Sequence, residues 1–317
     1  MPITPGQIKG LARDCGFELA GIASAAPPAD FDRFEHWREK GFAGEMGYLT
    51  DRRGDLRADP RNLLPTAQSI LCVGKLYNTA HPHTADITGK DRGWISRYAW
   101  GQDYHDVVRQ GLESLVSRIA ERHNHPFTWK ICVDTAPLLE RSYAQMAGLG
   151  WIGKNTCLIN QQQGSWFFLG ELLLSIPLLP DAPPPDRCGT CTRCIDACPT
   201  AAIVSDGTGG WTLDARACIS YLTIEKRGEI SKELAEKMSD HVFGCDICQD
   251  VCPWNGRAAV SEDSRFQPVW FAPSLQSLAE LTEDDFRRVF QRSPVRRAKY
   301  AGVIRNTAIA IGNSGNT

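Results

Sequence analysis

The sequence predicts an α+β protein in three parts. These are an N-terminal α/β domain over residues 1–178, a cysteine-rich domain over 179–256, and a helical, basic segment over 257–317. Three observations predict this. Apolar strand-like runs alternate with helix-period segments in the first 178 residues. Eight of the twelve cysteines fall between Cys188 and Cys252, after a stiff proline-rich stretch, PDAPPPD at 180–186. Beyond them, apolar residues recur at helical spacing in a region dense in arginine.

The elements follow in order. Residues 3–15 read as a helix, with Ile3, Ile8 and Leu11 on a loose apolar face. Phe17 to Ala23 is a short apolar strand. Ser69 to Leu76 (SILCVGKL) is a buried strand bounded by Pro65 and Asn78. In His105–Arg122, Val108, Leu112, Leu115 and Ile119 recur every three or four residues, the spacing of one helix face. Trp129 to Val133 is strand-like. Leu138 to Met146 is a helix ended by the glycines of AGLGWIG. Ser165 to Ser175 is a further apolar strand. Residues 275–299 are helical and basic. The last stretch, YAGVIRNTAIAIGNSGNT, has small apolar residues at helical spacing and resembles the first helix of a HEAT-like helical repeat, expected to be cut short.

Composition excludes several classes. The chain has 317 residues, 42% hydrophobic and 23% charged, as in ordinary globular proteins. No apolar run approaches the roughly 20 residues that cross a bilayer. The N-terminus lacks the apolar core of an export signal, so a cytoplasmic protein away from membranes is expected. A net charge of -2 excludes a generally basic nucleic-acid binder. Charge is nevertheless local: Arg287, Arg288, Arg292, Arg296, Arg297 and Lys299 lie close together, as a solvated helix face or as a phosphate-facing surface. No GxGxxG follows an N-terminal strand, and no P-loop is present.

The cysteines carry the chemistry. Cys188-x2-Cys191-x2-Cys194-x3-Cys198-Pro199 is the bacterial ferredoxin spacing. One tight loop supplies three corners of a cubane, and the fourth cysteine points to a second cluster. The second half is looser: Cys218, then Cys245-x2-Cys248-x3-Cys252-Pro253. The ferredoxin crossover assigns Cys188, Cys191, Cys194 and Cys252 to one [4Fe–4S] cluster and Cys198, Cys218, Cys245 and Cys248 to another. A pair of zinc sites needs only two CxxC pairs and leaves the third thiol and both Cys-Pro steps unexplained. Cys15, Cys72, Cys132 and Cys157 sit in apolar contexts and read as core. Two clusters form an electron wire, and a wire requires an acceptor.

That acceptor is suggested by resemblance. The segments RADPRNLLP from Arg57, RYAWGQDYHD from Arg97, VDTAPLLERSYAQMAGLGWIGKNT from Val133, GSWFFLGELL from Gly164 and CISYLTIEKRG from Cys218 resemble the epoxyqueuosine reductase family over essentially the whole chain. The resemblance implies a cobalamin-binding N-terminal domain and reduction of epoxyqueuosine to queuosine at the wobble position of tRNA. It also implies kinship with corrinoid reductive dehalogenases. A monomer is expected, served by an unidentified low-potential electron donor. The sequence has no D-x-H-x-x-G, the usual source of a cobalt-ligating histidine, so the cobalamin is expected base-off, and His105 in DYHD does not fit that motif.

Asp134 follows an apolar strand and precedes a helix. From the residues it is equally a helix cap or a proton donor; the resemblance makes it the general acid. Partial burial is expected to raise its pKa. Arg57, Arg97, Asp134, Lys154, Asn155 and Thr156 are the candidate cobalamin contacts. For tRNA the candidates are Lys226 and Arg227, with Arg296 and Arg297 from the basic run. Tyr221 is a possible base-stacking residue but better explained as packing beneath a cluster. The second cluster, whose Cys218 borders CISYLTIEKRG, is expected nearer the cobalt. Two other readings are a corrinoid dehalogenase of a small organohalide, and a two-cluster ferredoxin subunit without catalysis.

Overall fold

The computed structural model describes residues 3–83, 86 and 91–315. Four strands form the central sheet: β1 (Leu19–Ser24), β2 (Ser69–Leu76), β3 (Trp129–Cys132) and β4 (Phe167–Leu174). Their order across the sheet is β1-β2-β4-β3, and every pairing is antiparallel. Alternating elements allow an α/β or an α+β domain; the antiparallel sheet makes the N-terminal domain α+β, not the α/β domain expected. The physical reason lies in β2, where all eight residues are buried. A strand covered on both faces is continuously apolar whichever way its neighbours run, so its pattern carries no direction.

Both faces are covered by helices. On one, Leu71 and Val73 of β2 meet Ile8 and Leu11 of helix Pro5–Asp14 and Leu112, Leu115 and Ile119 of helix Tyr104–Arg122. The first helix starts where chemistry dictates. Thr4 accepts the Gln7 amide, Gln7 returns a bond to the Thr4 amide at 2.9 Å, and Pro5 occupies the first turn. Leu112, Leu115 and Ile119 are 0% exposed, and each stabilises the fold by roughly 1.5–3 kcal/mol through burial. On the other face, Ile70, Cys72 and Leu173 pack under Tyr143, Ala144 and Ala147 of helix Glu140–Met146 and its C-terminal turn. Close contact is required there: a Cβ on Gly21 of β1 would stand 2.0 Å from the Ala147 carbonyl oxygen.

The three predicted segments interlock. Trp94–Ile95 pairs in parallel with His241–Phe243, which follows Cys218 in sequence. Phe266 is buried in the core of the N-terminal sheet. The cysteine region contains a hairpin (Ile203–Ser205 with Trp211–Leu213) and two short helices, Arg193–Asp196 and Ile247–Asp250, in contact with each other.

The C-terminal helix Lys299–Ser314 lies on this region. Asn306, 0% exposed, donates from its amide to the Thr223 and Val242 carbonyls, both at 2.9 Å. Arg305 donates to the carbonyls of Leu222, Lys226 and Gly228. The helix thus fixes the CISYLTIEKRG segment. Among the described residues no helix is long and apolar enough to cross a membrane.

Candidate active site and cluster-binding segment

Cys188, Cys191, Cys194 and Cys252 line one cavity of about 320 Å³, together with Lys154, Asn155 and Trp254. Three of these thiols come from the first cysteine run and the fourth from the second. Among the described residues no three His, Cys, Asp or Glu side chains converge as they would on a single ion. Thiols spaced around a cavity suit a multi-atom iron–sulfur cluster and do not suit tetrahedral zinc. Cys218 and Cys245 both feel the charge of Cys198, and Cys248, which interacts first with Cys157, feels those of Cys245 and Cys218, so these thiols lie near one another.

The GWIGKNT turn lies against both sets. Lys154 Nζ donates to the carbonyls of Gly189 (2.7 Å) and Cys191 (3.0 Å), beside the first. Asn155 donates to the Cys248 carbonyl at 3.2 Å, beside the second. Thr156 has φ +63°, and its carbonyl accepts from Arg141.

Arg57 and Arg97 are buried and bonded internally. Arg57 donates to the Arg53 carbonyl at 2.7 Å. Arg97 is 2% exposed and lies 4.5 Å over the Trp100 ring. Its guanidinium donates to the carbonyls of Thr79, His81 and Pro82, and its amide donates to Asp246 between Cys245 and Cys248.

Asp134 begins the turn after β3 with φ +52°. Aspartate tolerates this left-handed region better than most residues, at a cost on the order of 1 kcal/mol. Its side chain is 57% accessible, and Oδ2 lies 3.2 Å from His105 Nε2. His105 Nδ1 lies 2.7 Å from Asp103 Oδ1. The imidazole is thus held between two carboxylates, with Tyr104 stacked on it at 4.2 Å between ring centroids.

The electrostatics reverse one expectation. Burial favours the neutral Asp134 carboxyl, but the hydrogen bond and charge of His105, with help from Tyr104 and Arg297, outweigh it. The carboxyl is held below its ordinary range, not raised. Burial likewise opposes charging His105, yet Asp103 and Asp134 push its pKa up to about 9. At neutral pH the proton resides on His105 and the negative charge on Asp134.

The candidate tRNA residues gather near this turn. Arg297 donates from Nε and one terminal nitrogen to Glu225 at 2.9 and 3.2 Å and lies 5.2 Å over the Tyr48 ring. Lys226 pairs with Glu45, and Arg227 donates to the Arg297 carbonyl at 3.1 Å. Arg296 is exposed and donates to Gln291. Tyr221 is buried, with its hydroxyl accepting the Glu45 amide at 2.8 Å, so it packs and does not face a base.

Sequence reasoning missed His105, Glu140 and Glu171. The Asp-x-His spacing of Asp103 and His105 was the available signal for the first. A carboxylate in the otherwise apolar strand FFLGELLL was the signal for Glu171.

Two sets of thiols that suit iron–sulfur clusters point to an iron–sulfur oxidoreductase. Comparison with known proteins narrows the class. Residues 187–255 match the family model described as "4Fe-4S double cluster binding domain", and residues 57–135 match "Epoxyqueuosine reductase QueG, DUF1730". An epoxyqueuosine reductase of Xanthomonas campestris pv. campestris is 41% identical over 312 residues, 97% of this chain and 86% of that protein. One of Gloeobacter violaceus is 42% identical over 326 residues, 100% of this chain and 98% of its own length. A crystal structure of an epoxyqueuosine reductase with an epoxyqueuosine-modified tRNA-Tyr stem loop superposes with a TM-score of 0.88 at 30% identity, covering 98% of this chain and 82% of that one. The chain belongs to the epoxyqueuosine reductase family, enzymes of tRNA queuosine synthesis.

Proposed function

We propose that this chain reduces epoxyqueuosine in tRNA to queuosine, using two [4Fe–4S] clusters and cobalamin. Cys188, Cys191, Cys194 and Cys252 hold one cluster; Cys198, Cys218, Cys245 and Cys248 hold the other. The reaction removes the epoxide oxygen as water and leaves a carbon–carbon double bond, which takes two electrons and two protons. When bound, cobalamin supplies a strongly reducing cobalt centre for opening the epoxide. His105 has both ring nitrogens engaged by carboxylates, which supports a cobalt centre without it as ligand. Of the candidate contacts, Lys154 and Asn155 are bonded to the cluster-binding loops, and Thr156 and Asp134, both at positive φ, would contact the cofactor. Arg57 and Arg97 act by holding the surrounding loops.

The observation that carries this reading is the Asp134–His105 pair. His105 stores a proton at neutral pH, and Asp134, open to solvent and hydrogen bonded to it, delivers that proton to the oxygen. An aspartate raised and protonated by burial alone would store its own proton; here the pair does so. Lys226, Arg227, Arg296 and Arg297 form the surface that meets the tRNA backbone, and a relative carrying a modified tRNA stem loop supports that substrate. The organohalide alternative is not favoured, because the full-length relatives are epoxyqueuosine reductases. The test is mass spectrometry of nucleosides from epoxyqueuosine-containing tRNA after incubation with reduced, cobalamin-loaded protein. Asp134→Asn should keep its clusters and cobalamin and lose turnover.

A further inference from the structure

The acid-bearing turn rests on two carboxyl groups that the reaction itself does not use, Glu171, which is buried, and Glu140, which is half-buried. Glu171 lies in the middle of β4, directly opposite Cys72 of β2 and Cys132 of β3, and is 0% exposed. Its face of the sheet is the one covered by helix Glu140–Met146. Neither carboxyl oxygen of Glu171 receives an N–H or O–H from a described residue. The group acting on it at hydrogen-bond range is another carboxyl, that of Glu140. Two carboxyl groups can bond only if they share a proton, and an ionised carboxylate buried without a donor would cost many kcal/mol. Glu140 Oε1 in turn accepts the backbone N–H of Asp134. That bond lies at the residue with φ +52°, a conformation that persists only where its surroundings impose it.

We propose that Glu140 and Glu171 share one proton and form a latch, in which Glu171 donates to Glu140 and Glu140 holds the Asp134 turn in its proton-delivering position. Both are positioning residues, and this role rests on the reading of Asp134 as the acid. The titratable groups facing the pair are Cys72, Cys132, Asp134 and Tyr104, with the cations Arg57 and Arg141. Burial and then the Asp134 charge push Glu140 up to about 8, and burial with the Glu140 charge raises Glu171 well above the ordinary carboxylate range. Both directions agree with a retained proton at neutral pH.

The test uses the cluster-loaded protein. Its infrared spectrum at pH 7 should contain the carbonyl stretch of a protonated carboxyl group, shifted in D2O and absent in Glu171→Gln. A wild type lacking the band, or a band unchanged in Glu171→Gln, overturns the proposal. Glu140→Ala should raise hydrogen exchange at the Asp134 amide by about tenfold or more; unchanged exchange overturns the proposal too. Were the wild type to convert no epoxyqueuosine, the function would fail while the infrared and exchange results still decided the latch.

Discussion

Replacing Asp134 by Asn should lower the pKa of His105 by about one unit. The ring is raised from 6.5 to about 9 against the opposing effect of burial, through its hydrogen bonds to Asp103 and Asp134 and their charges. A rise of roughly two and a half units corresponds to ~3.4 kcal/mol before screening. The His105 side chain is 32% accessible and that of Asp134 57%, so solvent screening reduces the share due to Asp134 to ~1–1.5 kcal/mol, about one pH unit. The sign is fixed by the raised value. The ion pair stabilises the fold fully below pH 6.5, and this contribution is lost as pH rises through about 9. Histidine-selective isotope labelling and NMR titration of the wild type and Asp134→Asn measure it directly, without turnover. A His105 midpoint below 7 in the wild type, or one unmoved by the substitution, would refute the assignment of the stored proton to His105.

Other consequences are as sharp. Cys252→Ala should lower iron from about eight to about four per chain, because this thiol completes a cluster built mainly by the other cysteine run; iron and sulfide analysis with electron paramagnetic resonance would show it. Gly21→Ala should destabilise the N-terminal domain by about 3 kcal/mol or more, since its Cβ would enter the Ala147 carbonyl at 2.0 Å; denaturant unfolding reads this. Arg296→Ala should weaken tRNA binding uniformly and reduce the slope of log affinity against log salt by about 0.9 if the side chain meets one phosphate. An unchanged slope would remove Arg296 from the interface.

The sequence made some features legible and concealed others for identifiable reasons. Cysteine spacing is local, so a grouping of Cys188, Cys191, Cys194 and Cys252, which line one cavity, could be written down from the sequence. The strand Ser69–Leu76 was legible to the residue because its apolar run is bounded by turn residues. Strand direction was not legible, because β2 is buried on both faces. Helix Phe31–Glu39 was missed because none of its residues is buried, so it has no apolar stripe to read.

Charge states depend on partners brought from afar. Asp134 meets His105 across 29 residues and Arg297 from the C-terminal segment, so burial alone suggested the wrong direction for its pKa. Arg57 and Arg97 illustrate the same limit. Residue type suggested ligand contact, whereas each guanidinium is bonded to backbone carbonyls inside the fold.

The central claim is that a proton held by Asp134 and His105 meets electrons relayed through two thiolate-held clusters at the epoxide of a tRNA nucleoside. The most direct measurement is nucleoside mass spectrometry of epoxyqueuosine-containing tRNA treated with chemically reduced, cobalamin-loaded wild type and Asp134→Asn. The wild type should yield queuosine and the variant should lose at least about a hundredfold in rate, within the usual contribution of a general acid. Conversion by Asp134→Asn at a near-normal rate, or none by the fully loaded wild type, would contradict it.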